Sequence, residues 1–288
     1  MDFIEHLDSI EDLPTLPTTL TKILSITGRD DTTAADLGRV VAADQALAAK
    51  ILRLANSAFF GLHRNVEDID RAVALLGFFE VRNLAISVSV FDSVYLPTAG
   101  GGMFNRARFW EHSYGVAYIA RELARLTKKG AANAFAAGLL HDVGKLILDR
   151  YFAEAFREIV TLIRAEGISF TAAEEKLGQT VHAVVGAHVL DRWNLPAELV
   201  MAVNGHHDPD PKDQLAPTVY LANRLAHVVG FSFDENEDPE NLDDVLTDPI
   251  TVELHEAGQL PPADRLAELV EQIDDEAESL SAAAAMLQ

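Results

Sequence analysis

Apolar residues recur along this chain at spacings of three and four, and strand-like alternation is scarce. In "TTAADLGRVVAADQALAAKILRLANSAFFG" the stripe runs through Leu37, Val40 and Val41, then Leu47, Ile51 and Leu54. Asp44 is placed to cap the second of these helices. "DIDRAVALLGFFEVRNLAISVSVF" predicts helices over 68–76, opening on an Asp cap, and over about 80–91, with Gly77 as the break. "LPTAGGGM" at 96–103 joins a Pro to three glycines and predicts a flexible joint. Beyond it the periodicity predicts helices near 105–127, 131–148, 151–166, 171–177, 180–193, 197–205 and 215–229. Phe231 to Pro249 is acidic and reads as a loop. A final amphipathic helix near 262–280 carries Leu266, Leu269, Val270 and Ile273 on one face. The expected fold class is all-α, a multi-helix bundle in lobes: 1–100, 101–232, and an acidic extension, 233–288.

Composition narrows the picture. There is no cysteine, which removes disulfides and thiolate sites and suits a cytoplasmic setting. No apolar run reaches the roughly 18 residues a bilayer crossing needs, so no membrane partner is expected. The start, "MDFIEHLDSIEDL", lacks the basic region of a secretory signal. A net charge of −22 argues against a broad phosphate-neutralising surface, so a nucleic-acid partner is not expected. The excess is uneven: acidic residues crowd the stretch from Asp234 to Glu278, where Arg265 is the sole Lys or Arg. That crowding predicts a solvated tail, or a docking surface for a basic partner.

Several polar groups fall on apolar stripes. His112 shares a face with Val116, Ile119 and Leu123, and His182 with Val185, Gly186, Val189 and Trp193. Each alone reads as a satisfied core histidine. His188 lies on another stripe and reads as structural or exposed. In "GLLHDVGKLIL" the pair His141-Asp142 stands in an apolar run, where charge is costly unless paired. Lys145, three residues after Asp142, could satisfy it as an ion pair with no metal. His206 and His207 in "NGHHDPD" could cap a helix end. Together these positions suggest one shared site, because neutral imidazoles with a carboxylate suit Zn, Mn or Fe.

The motifs resemble the HD superfamily of metal-dependent phosphohydrolases, and more closely its HDOD branch of bacterial signalling domains. The similarity rests on "LPTLPTTLTKIL", "VAADQALAAKILRLANSAFFG", "AVALLGFFEVRNLAI", "GLLHDVGKLIL" and "VVGAHVLDRWNLP", across about residues 13–230. It implies an N-terminal helical lobe packed on an HD-type lobe. By position, His112, His141, Asp142, His182, His206 and His207 match the metal ligands of the extended HD-GYP set, whose members cleave cyclic-di-GMP, and Lys145 matches the lysine after the pair. The implied cofactor is a divalent transition metal (Fe, Mn or Zn), or none in an eroded site. Two departures stand out. Asn223 occupies the place of the late ligand Asp, and a neutral amide cannot offset a dication. Arg108 stands one turn before His112, where HD-GYP proteins carry a carboxylate, and the GYP tripeptide is absent. The resemblance therefore implies a regulatory module acting mainly through contacts with a signalling partner. The alternative is a metal-dependent phosphodiesterase acting on a nucleotide or cyclic nucleotide, with Asp142 and Lys145 as its catalytic groups.

Overall fold

The computed structural model describes residues 3–10, 13, 15–27, 29, 31–57, 60, 65–94, 105–129, 133–178 and 182–285. Every regular element among them is helical. By its contacts the chain falls into two compact units, Met1–Leu13 with Pro97–Ala277, and Pro14–Leu96 with Glu278–Gln288. The first helix, α1 (Phe3–Ser9), is grouped with the larger unit.

The smaller unit holds α2 (Thr18–Thr27), α3 (Ala34–Ala42), α4 (Gln45–Ala55), α5 (Ile69–Leu76) and α6 (Phe78–Val94). Their starts follow local chemistry. Thr33 and Asp36 form a reciprocal capping box at α3. Asp44 caps α4 by accepting from the Leu47 N–H, and Asp68 caps α5 by accepting from the Arg71 N–H, both as expected. Gly77, at φ 94°, ends α5, a conformation that favours glycine. Helix α6 is buried along most of its length and packs against α2 to α5. Replacing Asp44 with Ala should cost about 1 kcal/mol in denaturant unfolding. The Leu47 N–H and the Thr19 hydroxyl hold its carboxyl below the usual range. A depressed carboxyl favours the folded state fully above its unfolded pKa, so this contribution should fade as pH falls through the carboxylate range.

The larger unit is built on α7 (Arg106–Thr127), α8 (Ala134–Leu140), α9 (Val143–Tyr151), α10 (Ala153–Glu166), α11 (Phe170–Leu177), α12 (His182–Arg192), α13 (Ala197–Gly205) and α14 (Ala216–Val228). Helix α7 packs on α8 and α14, α9 on α12, and α12 on α13. At the α7–α8 crossing a Cβ on Gly138 would lie 2.7 Å from the Ala117 Cα, so only glycine allows that approach. The helix expected over 131–148 is broken. Its first residues lie outside the described set, and α8 ends at Leu140 while α9 begins at Val143. His141 and Asp142 are the corner between them, with Asp142 at φ −98°, ψ 11°.

The stretch 231–249 is not wholly a loop. It contains α15 (Leu242–Thr247), and Pro249 opens α16 (Pro249–Glu256). Its acids serve as local acceptors. Glu237 accepts from the N–H groups of Phe170 and Phe233, and Asp248 caps α16. The last helix, α17 (Ala263–Ala285), buries Leu266, Leu269 and Ile273 and leaves Val270 half-buried. It is tied to α7 where the Tyr118 hydroxyl donates to Glu276. Residues 233–277, read from the sequence as an extension, thus group with 97–232. The joint expected at 96–103 lies outside the described residues.

Candidate metal centre

The α8–α9 corner turns His141 and Asp142 toward three other helices. His112 comes from α7 and His182 from the first position of α12; His206 and His207 follow the end of α13. Around the Asp142 carboxylate, one oxygen lies 3.4 Å from His112 Nε2, 3.3 Å from His141 Nε2 and 2.6 Å from Lys145 Nζ. The other lies 3.0 Å from His182 Nε2 and 3.7 Å from His206 Nε2. Two ligand groups result, His112–His141–Asp142 and His182–His206–His207, with Asp142 between them. His112, His141, Asp142, His182 and His206 are each at most 1% exposed. All six candidates from the sequence, and Lys145, meet in one place. His188 does not join them; its Nε2 lies 2.8 Å from Asp8 on α1.

The outer nitrogens define the chemistry of the inner ones. Nδ1 of His112 lies 2.6 Å from the Phe231 carbonyl, that of His141 2.7 Å from the Gly138 carbonyl, and that of His206 2.7 Å from the Val203 carbonyl. A carbonyl only accepts, so each Nδ1 carries a hydrogen and each ring turns its Nε2 inward. His182 Nδ1 donates to Glu174 at 2.9 Å, the carboxylate–histidine arrangement that orients a metal ligand. The inward nitrogens then crowd together: 3.2 Å for His112–His141, 3.3 Å for His182–His206 and 3.1 Å for His182–His207. Nitrogens facing at such distances need a proton or a cation between them. Both Asp142 oxygens sit among imidazole nitrogens and the Lys145 ammonium, and among the described residues the buried Asn223 side-chain oxygen has no hydrogen-bond partner. That unpartnered amide oxygen and the N/O donor set fit a divalent transition metal.

The electrostatics agree. Burial pushes the His141 imidazole below its usual pKa. Burial, then neighbouring imidazoles, hold His206 and His207 well below it, so these rings are neutral at neutral pH and able to act as ligands. Burial pushes His182 down too, but Glu174 and Asp142 outweigh it and its pKa is raised. For Asp142, burial is overcome by His141 and Lys145, and its carboxyl stays ionised. Lys145 is held between aromatic faces, 4.7 Å from the Phe170 ring and 4.8 Å from the Phe233 ring. The ion pair that the sequence offered instead of a metal therefore exists beside the histidine cluster. Arg108, one turn before His112, is only half-buried.

Several contributors carried no clear sequence signal. Glu174 fixes His182 through both its Nδ1 and its backbone N–H. The carbonyl of Phe231 orients His112, a role no side chain announces. His227 packs at a tilt against His112, with ring centroids 5.1 Å apart, and is held neutral by burial and by His112. Its spacing of four from Asn223 on α14 was the available clue. Glu174→Ala should weaken metal binding 10- to 100-fold, measured by competition with a chromophoric chelator, while leaving the site's ligands in place.

The larger setting is a known one. A crystal structure of an HDOD domain protein of unknown function from Geobacter sulfurreducens superposes with a TM-score of 0.80, at 27% identity over 99% of this chain and 96% of that one. A phosphohydrolase candidate from Shewanella amazonensis SB2B superposes with a TM-score of 0.73, at 25% identity over 96% of this chain and 97% of that one. An uncharacterized protein of Treponema pallidum is 29% identical over 222 residues, 75% of this chain and 42% of its own length, so the chain spans about two-fifths of that relative. The sequence profile described as the HDOD domain matches residues 13–209. With these helices, this histidine cluster and that match, the chain belongs to the HDOD family.

Proposed function

We propose that this chain is a signal-transduction module that acts mainly through protein contacts and retains a metal-holding centre without phosphodiester turnover. The observation that carries this is the charge of the cavity beside the cluster, about 490 Å³ in volume. Its two non-histidine cations are both engaged. Lys145 pairs with Asp142, and Arg224 lies 2.5 Å from Glu240 and 3.3 Å from Asp248. Glu175, Asp208 and Glu237 line the same space. A phosphodiester entering it meets more carboxylate than cation, which opposes the anion stabilisation that phosphoryl transfer needs. Asn223 in place of a carboxylate supports the same reading, since it lowers the charge available to hold a dication.

The second reading is a metal-dependent phosphohydrolase. It is favoured by the two ligand groups that meet at Asp142, and the Shewanella relative carries the description of a phosphohydrolase. A divalent ion held there supplies Lewis-acid charge to a phosphoryl oxygen. Asp142 would anchor it, and Lys145 would offset charge on the phosphate.

Elemental analysis of untagged, chelator-free protein, run beside hydrolysis of bis(p-nitrophenyl) phosphate, separates the two. Stoichiometric Fe, Mn or Zn without hydrolysis is expected. Metal-dependent turnover lost in His141→Ala would replace this reading with the second.

A further inference from the structure

Helices α12 and α13, whose inner ends bring in His182 and His206, form a groove of about 790 Å³ on another face. Its floor is apolar and open: Val184 is 38% and Met201 54% exposed, with Val200 beside them. From Val184 to Asp191 it follows α12 for two turns, about 10 Å of helix axis. Its rim is acidic. Asp191, Asp208, Asp210 and Asp213 line it against one lysine, Lys212. Among the described residues none of these four carboxylates has an ion-pair partner. His188, also at the edge, is already paired with Asp8.

We infer that this groove is a docking site for a basic amphipathic helix of a partner protein. An exposed methionine on an apolar floor suits helix-in-groove recognition, because its side chain adapts to the shape laid against it. Four carboxylates without an ion pair, of which Asp210 and Asp213 also accept from backbone N–H groups, select for Lys and Arg flanking the partner's apolar stripe. The same charges exclude other occupants. A second copy of this chain carries a net charge of −22 and would be repelled, as would an anionic lipid surface. Val184, Asn204 and Asp208 line both the groove and the cavity beside the histidines, so the docking face and the metal centre share walls.

The inference rests on the reading that the chain works through protein contacts. Its test uses the full chain and a labelled 18-residue helical peptide of leucine and lysine with one apolar face, followed by fluorescence anisotropy at physiological salt. Saturable binding is expected, weakened at least tenfold by Met201→Glu, at least threefold by Met201→Gln, and at least tenfold by Asp191→Lys with Asp210→Lys. The same change of charge on α17, Asp264→Lys with Glu271→Lys, should alter affinity less than twofold. All four positions are exposed, and circular dichroism confirms that each variant is folded. Absence of binding, indifference to both Met201 variants, or equal losses from the two charge reversals would overturn the groove. So would self-association of the chain that competes with the peptide. A metal-loaded, non-hydrolysing protein that ignores the peptide removes the groove and leaves the signalling reading standing. Phosphodiester turnover removes that reading whatever the peptide does.

Discussion

Gly144→Ala should lower the melting temperature of the unit that carries the histidines by roughly 6–12 °C and scatter the clustered histidines. Gly144 lies in the first turn of α9, where the helix crosses α12. A Cβ there would overlap the carbonyl oxygen of His182, lying 2.8 Å from its carbonyl carbon and 2.9 Å from the Gly186 nitrogen. All three obstacles are backbone atoms, so no rotamer change relieves them. The facing Gly186 makes the contact mutual, since its own Cβ would stand 3.0 Å from the Gly144 nitrogen. The two glycines let α9 and α12 meet backbone to backbone, and that meeting sets His182 against Asp142. Overpacking a core costs about 1–3 kcal/mol, and a backbone collision belongs at the top of that range or above it. At roughly 2–4 °C per kcal/mol for a unit of this size, the shift follows. Gly205→Ala is the control: its Cβ would meet only the Ala216 Cβ, at 3.3 Å, and should move the transition by less than about 3 °C. A scan that shows Gly144→Ala melting with the parent would refute the account of the crossing.

That crossing also shows where sequence reading stopped. Periodicity placed the helices because burial on one face repeats every three or four residues, and Asp44, Asp68 and Gly77 marked ends because capping is local chemistry. The corner at His141-Asp142 left no such mark. Neither residue is a helix breaker, and apolar residues continue on both sides, so 131–148 reads as one helix. The histidines were legible as stripe positions, but their convergence depends on how helices pack, which a stripe does not encode. Glu174 is invisible for the same reason: its role is defined by His182, eight residues on and in another helix. The acidic segment misled in the opposite direction. A count of charge describes a surface only if the charges are solvated, and Glu237 is instead buried as an acceptor for backbone N–H groups. The resemblance to HD-superfamily proteins supplied Asn223 and the ligand set, while spacing alone left an ion pair and a metal site as open alternatives.

Those two alternatives part company in variants of Asp142 and Lys145. Asp142→Asn should destabilise the metal-free protein by about 3–5 kcal/mol, because it strands the Lys145 ammonium, 5% exposed, between two phenyl rings. Adding Lys145→Met removes the stranded charge and should restore most of that loss. If Asp142 also holds a metal, the parent protein at a hundredfold excess of Zn or Mn over its Kd gains about 2.7 kcal/mol, which is roughly 5–10 °C in melting temperature. Neither Asp142→Asn nor the double variant should show that gain, since Asp142 lies between the two sets of histidines, 3.3 and 3.4 Å from His141 and His112 and 3.0 and 3.7 Å from His182 and His206. Lys145→Met alone is the deciding case. It leaves an uncompensated carboxylate beside inward-facing imidazole nitrogens, so its metal-dependent gain should exceed the parent's. A Lys145→Met protein that is destabilised and indifferent to Zn and Mn would mean that Asp142 serves only its lysine, and that the histidines gather there for packing.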